Sequence, residues 1–396
     1  MRQPAIISVY SLSSVNTTRL NMNICKLSLT ALAVVSSVNA SFAADTGVKV
    51  NAFIDTNYQY NFNRPSTSTS PATTPQNLLR QNDRAHRQFD ISQARIGVSK
   101  AAAPVGFDLQ LGVGSQLVTI NTVDGSTDNA YRLIRKATLN VEQNKFMLNV
   151  GRFDADFGME RIDSVDNFNY SRSLIFSSTQ PLFFTGAIAG YDFGGGFTAQ
   201  VGVANGVNRF ADNNVSLTYI GKAAYNTGNT NFGVSYVAGA ENASNGKAYR
   251  HSVNLNAKHS YSSTLSTGAE LNFVRGENEL VQAASATGVT PVVLENRKNA
   301  TRLGAAAYAQ MSMFSDQLEA LRVEWLSDRE GTVGLNNGGT RYFSTTATHR
   351  YKHTQNLSFW GEVRWDTANS DRFYDGENAK NRNNQVTALV AGTYNI

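Results

Sequence analysis

The stretch 48-VKVNAFIDTNYQYNF-62 decides the fold class. Val48, Val50, Ala52, Ile54, Thr56, Tyr58, Tyr60 and Phe62 share one parity. Lys49, Asn51, Asp55, Asn57, Gln59 and Asn61 share the other, with Phe53 as the exception. Successive side chains of a strand point to opposite faces, so this segment carries one apolar and one polar face. It alternates for about 15 residues, long for a globular strand and suited to a tilted membrane strand with a wet extension.

The pattern returns along the chain. Val105, Phe107, Leu109, Leu111 and Val113 alternate with Asp108, Gln110 and glycines, and Phe197, Ala199, Val201 and Val203 with Thr198, Gln200 and Gly202. Phe232 to Ala238, Val253 to Ala257, Leu265 to Phe273 and Leu357 to Trp365 repeat it. Short connections (101–106, 142–145, 194–196, 227–230, 261–264, 314–317, 353–356) separate long polar ones (64–87, 118–130, 154–182, 276–299, 367–384). Short periplasmic turns and long outer loops are the habit of outer-membrane barrels, whose strand number is even; the segments count to about sixteen. A soluble sandwich would leave sheet edges needing protection, and its loops would not sort by length. Tyr58, Tyr60, Phe62, Tyr249, Tyr261, Tyr342 and Tyr351 fall near strand ends, where an interfacial girdle would hold them. The expected fold is an all-β transmembrane antiparallel β-barrel over residues 44–396, set in outer-membrane lipid.

The ends agree. Lys26, the apolar run Leu27 to Val38 and Ser41-Phe42-Ala43 form a secretory leader, residues 1–43, with Met1 or Met22 as its start. The run is about 12 residues, too short to span a bilayer as a helix, and no longer one follows it. Cys25, the single cysteine, lies inside the leader, which leaves the mature chain without disulfide or thiol chemistry. Losing Arg2, Arg19 and Lys26 takes Lys+Arg from 35 to 32 against 30 acids, so the mature net charge falls from +5 to +2. No concentrated basic patch invites nucleic acid. The closing Val390, Gly392, Tyr394 and Ile396 alternate like the terminal strand that barrel-assembly machinery reads, with Ile where an aromatic residue is usual.

One connection carries too much apolar mass for a wet loop. Residues 154–182 follow the fifth strand (146–153) and precede the sixth (184–193), and hold Phe157, Phe168, Tyr170, Leu174 and Phe176 among Asp154, Asp156, Glu160, Arg161, Asp163, Asp166 and Arg172. Folded into the lumen, the aromatics would pack on the wall and the charges would line the opening. Arg95, Lys136, Lys222, Lys258, Arg302, Arg350 and Arg364 have lumen parity, as do Asp55, Asp108, Glu270 and Glu362. Acids facing bases across a narrow wet pore set a transverse field and a size cutoff. The ion preference stays open. The expected function is passive diffusion of ions and small polar solutes; a sugar- or anion-specific channel and a plugged structural or adhesive barrel are the rivals.

Enzymatic signatures are missing: there is no Gly-x-Ser-x-Gly elbow and no phosphate-cradling glycine loop. The five histidines are His86, His251, His259, His349 and His353. His349 and His353 would stand about 13 Å apart on a strand, too far to share a metal. No cofactor is expected. Gly151-x-Phe153, Gly158-x-Glu160, Asn167-x-x-Tyr170-Ser171-Arg172-Ser173, Phe176, Pro181 and Thr185-Gly186 followed by Tyr191 resemble the signature of OmpL-like β-barrel porins of Gram-negative bacteria. Phe53-x-Asp55-x-x-Tyr58-x-Tyr60 and Asn63-x-Pro65 resemble that family's opening; Phe184 stands where it often has His. The resemblance implies an outer-membrane channel, and porins of this size are often homotrimers.

Overall fold

The computed structural model describes residues 47–65, 77–80, 83–122, 131–243, 245–280, 297–333, 338–378 and 380–396. The expected leader, with Cys25, and the segment 289–294 lie outside these residues. Asn51–Ile396 form one compact unit.

The strands are β1 (Val48–Asn61), β2 (Gln88–Lys100), β3 (Val105–Val113), β4 (Ile134–Gln143), β5 (Phe146–Asp154), β6 (Phe183–Gly194), β7 (Phe197–Ala204) and β8 (Thr218–Asn226). They continue with β9 (Thr230–Asn242), β10 (Asn245–Ser260), β11 (Leu265–Leu280), β12 (Arg297–Phe314), β13 (Gln317–Asp328), β14 (Thr340–Lys352) and β15 (Leu357–Ala368). After a small hairpin, β16 (Phe373–Asp375) with β17 (Lys380–Arg382), the chain ends on β18 (Asn384–Asn395). Every strand except the two of that hairpin joins one closed barrel, antiparallel throughout, with β18 pairing β1 and β15. Ile54 stands opposite Tyr394 and Tyr60 opposite Ala388 across the seam. Closure gives each backbone N–H and C=O in the hydrocarbon a partner, which an open sheet could not do. No described helix is long and apolar enough to cross a membrane.

The alternation read from the sequence is an inside-out packing scheme. Leu109, Val201, Tyr219 and Val363 are exposed on the outer wall, while Asp55, Gln93, Asn254, Ser344, Thr346 and Thr387 are buried inside. Phe53, the exception to parity, faces inward beneath Arg95, whose guanidinium lies 4.6 Å from its ring centre. Girdle aromatics pair at the rims: Tyr58 with Phe89 at 4.9 Å, and His259 with Tyr261 at 4.4 Å. Tyr342 departs from the girdle expectation. It shares parity with Ser344 and Thr346, points inward and packs with Leu326 and Phe373.

The seven short connections fall where expected. The β9–β10 connection, at the opposite end, is also tight because both strands run on. β11 and β12 likewise extend past the expected loop edges at 276 and 299, held in part by an Arg250–Glu279 ion pair of 2.5 Å.

Candidate functional site: a segment held across the lumen

Residues 155–182 leave β5 and return to β6 by way of the barrel interior. Wall carboxylates accept hydrogen bonds from this segment on four sides. Asp55 of β1 accepts from the hydroxyls of Ser164 and Tyr170, both at 2.6 Å. Glu270 of β11 accepts from the Met159 amide and from Gln180 Nε2, both at 3.1 Å. Glu324 of β13 accepts from the Leu174 amide, and Glu362 of β15 from the amides of Tyr170 (2.9 Å) and Ser171 (3.2 Å).

Wall cations hold the same segment by its carbonyls. Lys222 donates to Ala155 O, Arg322 to Ser171 O at 2.6 Å, Arg350 to Val165 O at 3.1 Å and Arg364 to Arg172 O at 2.6 Å. Hydrogen bonds with one ionised partner are the strong ones, and most of those here grip main chain. The local sequence permits that grip. Asn167 folds the segment on itself, accepting from the Arg161 amide at 2.7 Å and donating to the carbonyls of Arg161 and Asp163. Ser173 caps helix α2 (Leu174–Thr179; α1 is Ser115–Thr122), its hydroxyl accepting from the Phe176 amide at 2.9 Å. A Cβ at Gly158 would lie 2.5 Å from Glu270 Oε2, so a larger residue there would push the Glu270 carboxylate off the bonds it makes to the segment.

Apolar contacts complete the docking. Leu174 and Ile175 pack with Tyr308, Leu326, Tyr342 and Phe373. Phe157 packs with Phe153, Phe184, Ile220 and Val237.

The charges expected to line the opening divide into two groups. Asp156 and Arg161 pair at 3.1 Å and face solvent, and Asp166 is exposed. Asp154, at the end of β5, pairs with Arg135. Glu160, Asp163 and Arg172 do not line the opening. Glu160 meets Arg322 at 2.7 Å, Asp163 meets Arg95 at 2.7 Å, and Arg172 donates to the carbonyls of Arg161, Ile162 and Tyr170. Arg364 is buried with them, 2.7 Å from Asp366. A charge withdrawn from water needs a close partner, and each of these has one. Of the other wall cations, Lys136 pairs with Asp108 at 2.9 Å. Arg302 reaches Thr332, and Lys258 lies exposed, 4.9 Å from the centre of the Phe168 ring. Asp163 lies outside the spanning strands; burial alone would raise its carboxyl, but Arg95 and Arg135 hold it at about 2.

Several site residues were not foreseen. Arg135 has the parity of the outer face, yet a bulge pairs Gln110 with Lys136 and Leu111 with Ile134, and the extra residue turns inward. Nothing in the local sequence marks that bulge. Arg322 and Glu324 were findable, since Ala320, Arg322 and Glu324 alternate with Leu321, Val323 and Trp325. A second inward segment was also missed. Arg80, between β1 and β2, reaches Asp83 at 2.5 Å and Asp366 at 2.6 Å. Together they start a chain of opposite charges that runs through Arg364, Glu324 and Arg322 to Glu160.

Comparison with known proteins places this arrangement. Residues 47–396 match the family model described as "Putative beta-barrel porin-2, OmpL-like". No curated protein matches in sequence at a significant level. Among solved structures, an anion-selective porin from Comamonas acidovorans is similar at a TM-score of 0.55 and 12% identity, over 88% of this chain and 99% of that one. The outer-membrane channel DcaP of Acinetobacter baumannii gives 0.54 and 11%, over 90% and 100%. A trimer form of in-vitro folded OmpT from Vibrio cholerae gives 0.52 and 8%, over 88% and 99%. At such identities the likeness speaks for the barrel fold. The family match covers residues 47–396, so this chain belongs to the OmpL-like β-barrel porins and is an outer-membrane porin, a passive diffusion channel for ions and small hydrophilic solutes.

Proposed function

We propose that residues 154–182 form the constriction of this channel, and that the gap they leave favours anions. The supporting observation is an imbalance among the uncompensated charges that reach water, since the unpaired wall acids Asp55, Glu270 and Glu362 are buried against the segment. Among the described residues, Lys222, Lys258 and Arg350 have no carboxylate within 4.0 Å, whereas Asp156 is neutralised by Arg161 and Asp108 by Lys136. Asp166 is the exposed acid left on the segment. Fixed cations beside a narrow water path raise the local anion concentration. Conduction of this kind asks for no catalytic residue. Homotrimeric assembly in outer-membrane lipid, after removal of residues 1–43 and delivery by barrel-assembly machinery, completes the reading. Light scattering on the purified protein would return three chain masses.

Single-channel recording in a planar bilayer under a salt gradient tests the proposal. The expected result is stable steps with a reversal potential on the anion side. Lys222→Gln with Lys258→Gln should move that potential toward the cation side. A cation-side potential in the wild type would overturn the anion assignment. A folded, inserted protein that stays silent would mean the two inward segments plug the lumen.

A further inference from the structure

The outer wall carries a recess that the conduction path does not use. At the outer ends of β13 and β14, on the lipid-facing side, Trp325, Ser327, Arg329, Thr340, Arg341 and Asn369 enclose a space of about 450 Å³. Arg329 and Arg341 are both exposed, and neither guanidinium has a carboxylate within 4.0 Å among the described residues. Asp328 also borders the space, but its carboxylate is already occupied, accepting from Thr332 N and Oγ1 at 3.0 Å and from Val333 N at 2.7 Å. The recess therefore presents two cations without an ion partner and the hydroxyl of Ser327, the Thr340 hydroxyl being turned inward onto Arg372, at the height where long loops place the outer membrane surface.

Below it the wall changes character without interruption. Trp325 also borders a trough of about 610 Å³ running down the lipid face of β9 to β14. Alanines 257, 269, 305 and 307 form its floor, and Phe232, Leu255, Trp325 and Phe343 form its sides. Small side chains on three adjacent strands lower the surface between aromatic walls, leaving a channel of apolar contact instead of the usual convex face. A row of basic groups flanks its upper end. His251 stands opposite Arg275, Arg275 opposite Thr301, and the Arg329 amide bonds Thr301 O at 3.2 Å.

We propose that this composite surface is a binding site for a phosphate-bearing lipid of the outer leaflet. The phosphate sits between Arg329 and Arg341, and one acyl chain lies in the alanine-floored trough beneath Trp325. Arginine's planar fork matches phosphate oxygens in pairs, while an indole at the interface spans the apolar chain below and the polar group above. A zwitterionic lipid would fill the trough equally well but would bring its own cation against the two guanidiniums. The charge of the headgroup is thus the discriminating feature.

The test uses the full mature protein in phosphatidylcholine vesicles doped with phosphatidic acid of the same chains, followed by native mass spectrometry of the lipids it retains. The wild type should prefer phosphatidic acid by about thirty-fold, the factor expected of two basic side chains beside an anionic headgroup. Arg329→Gln with Arg341→Gln should bring the two lipids near parity and leave single-channel conductance unchanged. Ala307→Trp, which fills the trough on the lipid side, should reduce retention of both lipids. Equal retention of the two lipids by the wild type, or an undiminished preference in the double variant, would overturn the site. If inorganic phosphate abolished the preference while Ala307→Trp had no effect, the recess would be a phosphate site and the lipid proposal would fall.

Discussion

Arg322 is fully buried inside the barrel, and each of its guanidinium nitrogens is used: Nε on Glu324 at 3.2 Å, Nη1 on Glu160 at 2.7 Å and Ser171 O at 2.6 Å, Nη2 on the hydroxyls of Ser171 and Thr346. It ties one wall strand to both ends of the central turn of the inward segment. Arg322→Ala would strand two buried carboxylates, a change that typically costs about 3–5 kcal/mol. Glu324 keeps Arg364 at 3.5 Å, so the lower end of that range is expected. Thermal unfolding in detergent should show the loss, and recordings should show larger, noisier currents. Asp163 makes a prediction of opposite character. Its folded carboxyl is held at about 2, below the value of near 3.9 that an unfolded aspartate has. A depressed carboxyl contributes stability that is complete above the unfolded value and is lost as pH falls through the folded one. Its bridges to Arg95 and Arg135 should therefore survive from neutral pH down to about pH 4 and fail near 2. Asp163→Asn should make currents noisy at neutral pH, and unchanged currents would remove Asp163 from the docking.

At the scale of elements, the inward segment behaves as a strap fastened at its backbone. Three wall carboxylates and four wall cations hold its main chain, on β8, β11, β13, β14 and β15, while Asp55 of β1, Arg95 of β2 and Arg135 of β4 hold its side chains. Such a strap yields most readily where it approaches the wall most closely. Gly158→Val would press a side chain into Glu270 and Gln180, lifting the first leg of the strap from β11. Single-channel conductance should rise while the barrel keeps its heat-resistant gel migration, and unaltered conductance would mean that this leg does not narrow the pore. The strands around the strap were legible in the sequence because period two is a local property. The fifth and sixth strands, expected at 146–153 and 184–193, run Phe146–Asp154 and Phe183–Gly194. The aromatic content of 154–182 likewise betrayed its inward course. What was hidden depends on partners far away in sequence. The inward course of 154–182 places Glu160 in the lumen and parity places Arg364 there, but only their meeting with Arg322 and Asp366 decides that they are buried in a seam and do not face the water path. The bulge that turns Arg135 inward is a mismatch between two strands, so neither strand reveals it alone.

At the scale of the whole molecule, everything rests on the seam between the first and last strands. Thr56 faces Gly392, Tyr58 faces Val390, and the final residue closes the ladder, with Ile396 N on Ala52 O at 3.0 Å and Ala52 N on Ile396 O at 3.3 Å. The terminal isoleucine, where an aromatic residue is usual, makes the same main-chain bonds that any residue would, so barrel closure is indifferent to that departure. It is not indifferent to length. Removing Val390–Ile396 would expose one side of Phe53–Tyr58 on β1 and of Leu357–Gly361 on β15 to hydrocarbon. Each unpaired backbone group there costs several kcal/mol. That sum exceeds the roughly 5–15 kcal/mol of a typical domain's stability, and the remaining strands cannot re-pair without shifting the register of the whole wall. The truncated chain should give no heat-modifiable band on a denaturing gel. Tyr394→Ala, which keeps the main chain and loses one girdle ring, should retain it. If the truncated chain still migrated as a folded barrel, closure would have to run through a different pair of strands, and the inward course of the strap would lose the fixed wall it is fastened to.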